Sequence, residues 1–187
     1  GNDIVSGNTQ GWDCSSNTAA GTLAYRKAIN AVSNPDEFDI NMLVIPGLIH
    51  RLHSSVTTFA KDMCEDRQDT FFIMDASAWG DSISTAVNAV QPFDSNYVAS
   101  YYPWVKILNT DKNKPVWVPP SVVLPGVIAF NDQVAAEWFA PAGLNRGGIV
   151  GAVSVLNRLT HAERDTLYEN KVNPIAAFPG QGIVAFG

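Results

Sequence analysis

Short apolar runs alternate with segments of helical period along this chain, and that alternation constrains its fold more than any other feature. Thr70–Met74 (TFFIM) is a continuous apolar run of strand length, the pattern of a strand buried on both faces. Ahead of it, Leu48 to Arg67 places Ile49, Leu52, Val56, Ala60 and Met63 on one helical face. Behind it, Asp81 or Ser82 caps a helix running to about Val90. Phe38–Ile45 reads as a strand that Pro46-Gly47 ends. It follows a helix with Thr18 as N-cap, whose Ala20, Leu23, Ala24, Ala28, Ala31 and Val32 recur at helical spacing until Asn34-Pro35.

The second half continues the pattern. Tyr97–Trp104 alternates as a strand, with Val105–Leu108 as its extension, and Val116–Val118 is a short strand. A helix is expected from about Val122 to Glu137, with Pro125 tolerated in its first turn. Thr160 and Glu163 form a capping box that opens a helix to about Lys171, ended by Asn173-Pro174. Ile175–Phe178 and Ile183–Phe186 close the chain as strands, an antiparallel addition. Strands separated by helices imply an α/β fold, a mixed, largely parallel sheet flanked by helices in a single domain. Residues 1–17, rich in Gly, Asn and Ser, read as a loop-like N-terminal segment, and 18–187 as the α/β core domain.

Composition narrows the function. Charged residues make up 16% of the 187, against a usual ~25%, so part of the surface is expected to be covered by other protein. The net charge is −6 and no run of Lys or Arg occurs, which argues against nucleic acid as a partner. No apolar run approaches the ~20 residues of a membrane span. Cys14 and Cys64, with no CxxC partner, are expected to be reduced thiols in a cytosol-like compartment. The polar start Gly1-Asn2-Asp3 lacks a basic n-region and a Met, so an excised fragment or processed chain without a signal peptide is expected.

Candidate chemistry is sparse. His50 and His53 stand three apart on a helix but lack further ligands at metal spacing, and packing or surface roles are expected for both. His161, Arg164 and Asp165 read as solvated helix residues. The loop Pro141–Gly148, with Arg146, offers backbone N–H groups, yet it lacks the GxxxxGK[ST] and GxGxxG patterns and reads as a turn or interface loop. Asp75 follows a buried strand, where α/β enzymes place carboxylates, and a helix or turn cap is the expected role. Cys64 lies beside Glu65 and Asp66, which disfavour a thiolate. No catalytic, cofactor-binding or metal residue is therefore assigned, and no cofactor. Tyr101, Tyr102, Trp104, Trp117, Trp138 and Phe139 cluster in the middle third; the pieces Tyr102–Trp104 and Glu137–Gly143 combine rings with prolines and suit rigid contact surfaces.

In order along the chain, Ser16–Thr22, Phe38–Asn41 with Val44–Gly47, Tyr101–Val105, Pro119–Ser121, Trp138–Gly143 with Asn145–Gly147, Leu159–Asp165, Asn173–Ile175 and Phe178–Gly182 resemble the central region of contractile tail sheath proteins of the T4-like myovirus type. The likeness runs from about residue 16 to 187. It implies a structural subunit without catalytic residue or cofactor, located in the virion tail sheath and assembled in the host cytoplasm. Its partners would be other sheath copies, stacked as a helical sleeve, and the tail tube that the contracting sleeve drives through the host envelope. Full chains of that family carry a further β-rich domain and a C-terminal domain, so the chain is expected to be a fragment that is monomeric alone. Two alternatives stand beside this reading: a small α/β enzyme with a strand-end site around Asp75 and the Gly147-Gly148 loop, and a sheath subunit of a bacterial contractile injection machine.

Overall fold

The computed structural model describes residues 12–136 and 138–187. Along them run α1 (Ala20–Ala31), β1 (Met42–Ile49), α2 (His50–Arg67), β2 (Phe71–Asp75), α3 (Ile83–Val90), β3 (Val98–Tyr102), β4 (Val105–Asn109), β5 (Lys114–Val118), α4 (Pro120–Val134), β6 (Ala152–Val155), α5 (His161–Glu169), β7 (Asn173–Phe178) and β8 (Gly182–Ala185). A five-stranded sheet has the order β1-β2-β3-β7-β8. Its first four strands are parallel, and β8 turns back antiparallel on β7. The α/β expectation therefore holds, including the antiparallel terminal pair. A second sheet, β5-β4-β6, is antiparallel throughout.

Alternation along β2 divides the core in two. Phe72 and Met74 pack with Val56, Ala60 and Met63 of α2, Ala86 of α3 and Leu167 of α5. Ile73 points the other way, to Leu124 and Val127 of α4 and to Val105 and Val155 of the small sheet. A strand buried on both faces has no polar side to show, which is why TFFIM is continuous.

Several boundaries differ from the expectation. β1 starts at Met42, not Phe38, and passes through Pro46-Gly47 to Ile49. Its register against β2 shifts between Val44 and Ile49, and Gly47 sits at φ +93°. β1 is an edge strand, so the missing N–H of Pro46 costs no ladder bond, and a bulge absorbs the bend. Tyr97–Leu108 is not one strand: the chain turns at the cis Tyr102–Pro103 bond, leaves the first sheet and enters the second as β4. Ala152–Val155, unassigned in the sequence, is β6; four residues among glycines give little periodicity to read. Asn173 and Pro174 begin β7 rather than merely ending a helix.

Helix ends and faces also differ in part from the expectation. α4 begins at Pro120, so Pro125 lies inside the helix, beyond the first turn. It ends at Val134; Glu137, its expected end, is outside the described residues, as are residues 1–11 of the loop-like segment. Ala19, not Thr18, is the N-cap of α1, and it makes no side-chain cap bond. The inward residues of α1 are Gly21, Thr22 and Ile29. The apolar row Ala20, Leu23, Ala24, Ala28 and Ala31 faces out, with Leu23 54% exposed. Ser82 caps α3 and the Thr160–Glu163 box caps α5, as expected.

Candidate functional site

Asp75 ends β2, buried at 3% exposure, at the edge where β2 meets the start of α4. Pro119 and Pro120 open that helix without N–H groups, so the first free donor is Ser121. Asp75 takes it: Oδ1 accepts from Ser121 N at 3.0 Å and Oδ2 accepts from Ser121 Oγ at 2.6 Å. Burial pushes the Asp75 carboxyl up to about 6, against the lowering effect of both Ser121 bonds. The carboxylate is the cap expected of it, joining strand to helix, and both oxygens are spent on one residue.

The Gly-rich loop has an equally mechanical use. Gly143 N donates to Ala185 O at 2.8 Å, Ala185 N to Gly147 O at 2.7 Å, and Ile149 N to Ile183 O at 2.9 Å. The loop thus seals the outer edge of β8, which would otherwise present an unpaired ladder. A Cβ on Gly147 would stand 2.2 Å from Ala185 O, so only glycine allows the backbones this close. Gly143 N is thus bonded to the strand and Gly147 N to Gly143 O at 2.8 Å, so neither is free for a phosphate.

The histidines are separately engaged. His50 Nδ1 lies 2.7 Å from Thr57 Oγ1, and the ring meets Phe93 edge-on. His53 Nδ1 accepts from Ile49 N at 3.0 Å. Burial lowers the pKa of both rings. Among the described residues no three His, Cys, Asp or Glu side chains are placed to hold a metal. His161 pairs with Asp165 at 2.8 Å in open solvent, while Arg164 instead lies over the rings of Phe178 and Phe186. Cys14 and Cys64 are free and buried, and burial pushes the Cys64 thiol up to about 11.

The aromatic cluster splits. Tyr101 and Tyr102 are core residues, not contact surface. The Tyr102 hydroxyl donates to Asp81 O at 2.9 Å and accepts from Asn157 Nδ2; Trp104 Nε1 donates to Ser77 O at 3.0 Å. Trp138 is 80% exposed, stacked on Phe139 with centroids 4.2 Å apart, and Arg146 lies over Phe139 at 4.5 Å. Asn131, buried in α4, fixes this corner by donating to Phe139 O at 2.9 Å.

Sequence reading missed two features. Arg67 is buried and donates to Val32 O, Phe38 O, Asp69 and Thr70, tying the loop after α1 to the end of α2. Its backbone acceptors lie about thirty residues away, and no local pattern announces them. The other is a groove of about 340 Å³ between α4 and the small sheet, lined by Leu108, Val122, Gly126, Phe130 and Val150 among others, with no charged side chain. Phe130 is 45% and Val150 94% exposed. The groove's lining is an open apolar surface.

A chain with capped strand ends, a sealed sheet edge and an open apolar groove has the features of a part in an assembly. The profile of the family described as phage tail sheath protein central domain matches residues 18–186. The chain belongs to that family. Over 94 residues it is 39% identical to the tail sheath protein of Vibrio phage KVP40, a match covering 50% of this chain and 13% of that protein. Over 71 residues it is 37% identical to the tail sheath protein of Enterobacteria phage T4, covering 38% of this chain and 11% of that one. Among solved structures, the helical sheath of the anti-feeding prophage in its contracted state superposes with a TM-score of 0.61 at 25% identity, over 94% of this chain and 44% of that chain. These matches thus span less than half of the relatives' own length. The family is one of structural proteins, not enzymes, and Asp75 has the cap role that agrees with it.

Proposed function

We propose that this chain is the central structural unit of a contractile phage tail sheath. Copies of the sheath protein form a helical sleeve around the tail tube, and the sleeve shortens to drive the tube through the host envelope. Residues 18–187 are the folded unit, carried in the virion after assembly in the host cytoplasm. Neighbouring sheath copies and the tail tube are its partners, with no role for nucleic acid, membrane or cofactor. The observation that carries the reading is the match of the sheath central-domain profile to residues 18–186. The uncharged groove beside α4 supports it, because a subunit that stacks leaves such surface for its neighbours. The matched stretches of two phage tail sheath proteins, 39% and 37% identical, support a phage tail.

The test is a density map of the parent tail with this domain fitted. The expected result is one copy per sheath subunit, repeated along the sleeve. A sleeve whose subunits do not accept the fold would overturn the reading.

A further inference from the structure

β1 passes to α2 without a loop, and a histidine makes the bond that fixes the junction. Ile49 is extended, at φ −94° and ψ 125°, and its N–H donates to His53 Nδ1 at 3.0 Å. His53 is itself non-helical, at φ −131° and ψ 40°, so it divides α2 into a first turn, His50–Leu52, and the rod that follows. Ahead of Ile49 lies the register shift of β1 against β2. The junction therefore has an irregular backbone on both sides, and one side-chain acceptor closes it. Ile49 is buried, so its N–H has little access to water as a replacement.

An imidazole nitrogen accepts a hydrogen bond only while it carries no proton, so His53 is neutral here, with its hydrogen on Nε2. We propose that the junction is an acid-sensitive latch: a proton taken from solvent onto His53 Nδ1 turns that acceptor into a donor, releases Ile49 N, and lets the turn His50–Leu52 move about His53. The turn carries exposed Arg51 and Leu52, so the latch alters surface, while Val56 and Ala60 keep the rod on the core. Burial holds the ring neutral below its ordinary 6.5, so the latch is closed at neutral pH and opens on the acid side of that value. The inference does not depend on the sheath reading.

The other charged and titratable groups of the elements packed here are engaged elsewhere. Arg51 pairs with Asp81 at 2.9 Å, and Asp75, opposite Ile49 in β2, holds Ser121. Arg26 of α1 donates to Ser55 O, and His50 meets Thr57 and the ring of Phe93, beside which Asp94 pairs with Lys171. His50 and Asp75 are the rival sources of a pH response.

The experiment is amide hydrogen exchange, read by nuclear magnetic resonance on the 187-residue chain at about pH 7 and about pH 4.5, with each rate divided by its intrinsic value at that pH. Protection of Ile49 is expected to fall roughly tenfold or more on the acid side, with Val56 and Ala60 unchanged. The fall should vanish in His53→Asn, whose amide oxygen accepts at both pH values, and persist in His50→Asn and Asp75→Asn. His53→Gln is the second variant, and thermal melts confirm folding. The nitrogen shift of His53 Nδ1 should be that of an unprotonated acceptor at neutral pH. Four outcomes overturn the proposal: a protonated Nδ1 at neutral pH, equal protection of Ile49 at both pH values, a fall that survives in the folded His53 variants, or a fall that Val56 and Ala60 share, which would be unfolding of the whole domain.

Discussion

Helices α2 and α4 cover opposite faces of the same sheet, yet their outer sides are finished differently. On α2 the outward positions are Arg51, Ser54, Thr58, Asp62 and Asp66, with Leu52 as an exception, and Lys61 pairs with Asp62 and Glu65 at 2.8 and 2.7 Å. On α4 they are Val122, Gly126, Ala129, Phe130 and Val134, joined by Asp132 and Gln133. The inner sides are alike: Val56 and Ala60 on α2, Leu124 and Val127 on α4, all buried. A helix with one polar side is finished by water, whereas a helix apolar on nearly every side is finished by protein. The inner residues therefore answer to the fold, and on the proposed sheath reading the outer residues of α4 are left for partners.

The largest expected effect breaks the comparison within α4 itself. Leu124→Ala empties a fully buried site and should cost roughly 3–5 kcal/mol. Phe130→Ser, one and a half turns further on the outer side, should cost under about 1 kcal/mol. Urea titration of the two variants gives both numbers. Equal losses would mean that the outer side of α4 belongs to the domain's own core, and the distinction between the two helices would fail.

Next in size is the pH response of the Asp75 cap, which begins the α4 layer. Burial raises its carboxyl from 3.8 to about 6, so the folded chain holds that proton more firmly than the unfolded one. Stability from this group is thus fully present below about pH 4 and is lost as pH rises through 6, by up to about 3 kcal/mol. His50 and His53, with lowered pKa values, act oppositely, losing their contribution as pH falls below 6.5. The measurement is therefore a difference: Asp75→Asn keeps an acceptor for Ser121 N, and should gain stability relative to the parent as pH rises from 4 to 7. A difference that is flat across that range would show that the two Ser121 bonds outweigh burial.

On the α2 side the comparable end is α5. The Thr160 side chain accepts from Glu163 N, and Glu163 Oε2 accepts from Thr160 N at 2.7 Å. Thr160→Ala should cost about 1 kcal/mol, read as a lower urea midpoint with an unchanged slope. A loss as large as that of Leu124→Ala would mean that α5 is a keystone rather than a cover.

What the sequence revealed follows the same division. TFFIM announced β2 because burial on both faces leaves one solution, and Thr160–Glu163 announced α5 because its cap bonds are local. The strand through Pro46-Gly47 was hidden, since that pair ends any strand except one at an edge with a bulge. α1 shows the deeper limit. Ala20, Leu23, Ala24, Ala28 and Ala31 recur at helical spacing, but periodicity does not say which face turns inward: this row faces out, and Gly21, Thr22 and Ile29 do the packing. For Asp75, the cap was legible from its place after a buried strand, while its partner Ser121, 46 residues on, was not.

The smallest expected effect concerns the sheet between the two helices. Sleeve contraction requires neighbouring subunits to exchange one packing for another. A close-packed interior resists continuous deformation, so the change is carried by rigid units sliding on their surfaces. Here the five-stranded sheet is buried on both faces, and even the Pro141–Gly148 loop is tied to β8 through Gly143 and Gly147. Its backbone belongs to the rigid unit, leaving Leu144 and Asn145 as its exposed tip. Superposing residues 18–186 from extended and contracted maps of the parent tail should give no backbone difference above map error within β1, β2, β3, β7 and β8. Over the same pair of maps, the contacts made by Leu144, Phe130 and Val150 should change. A sheet that bends between the two states would make the domain itself the spring, and α2 and α4 would then differ in mobility as well as in what covers them.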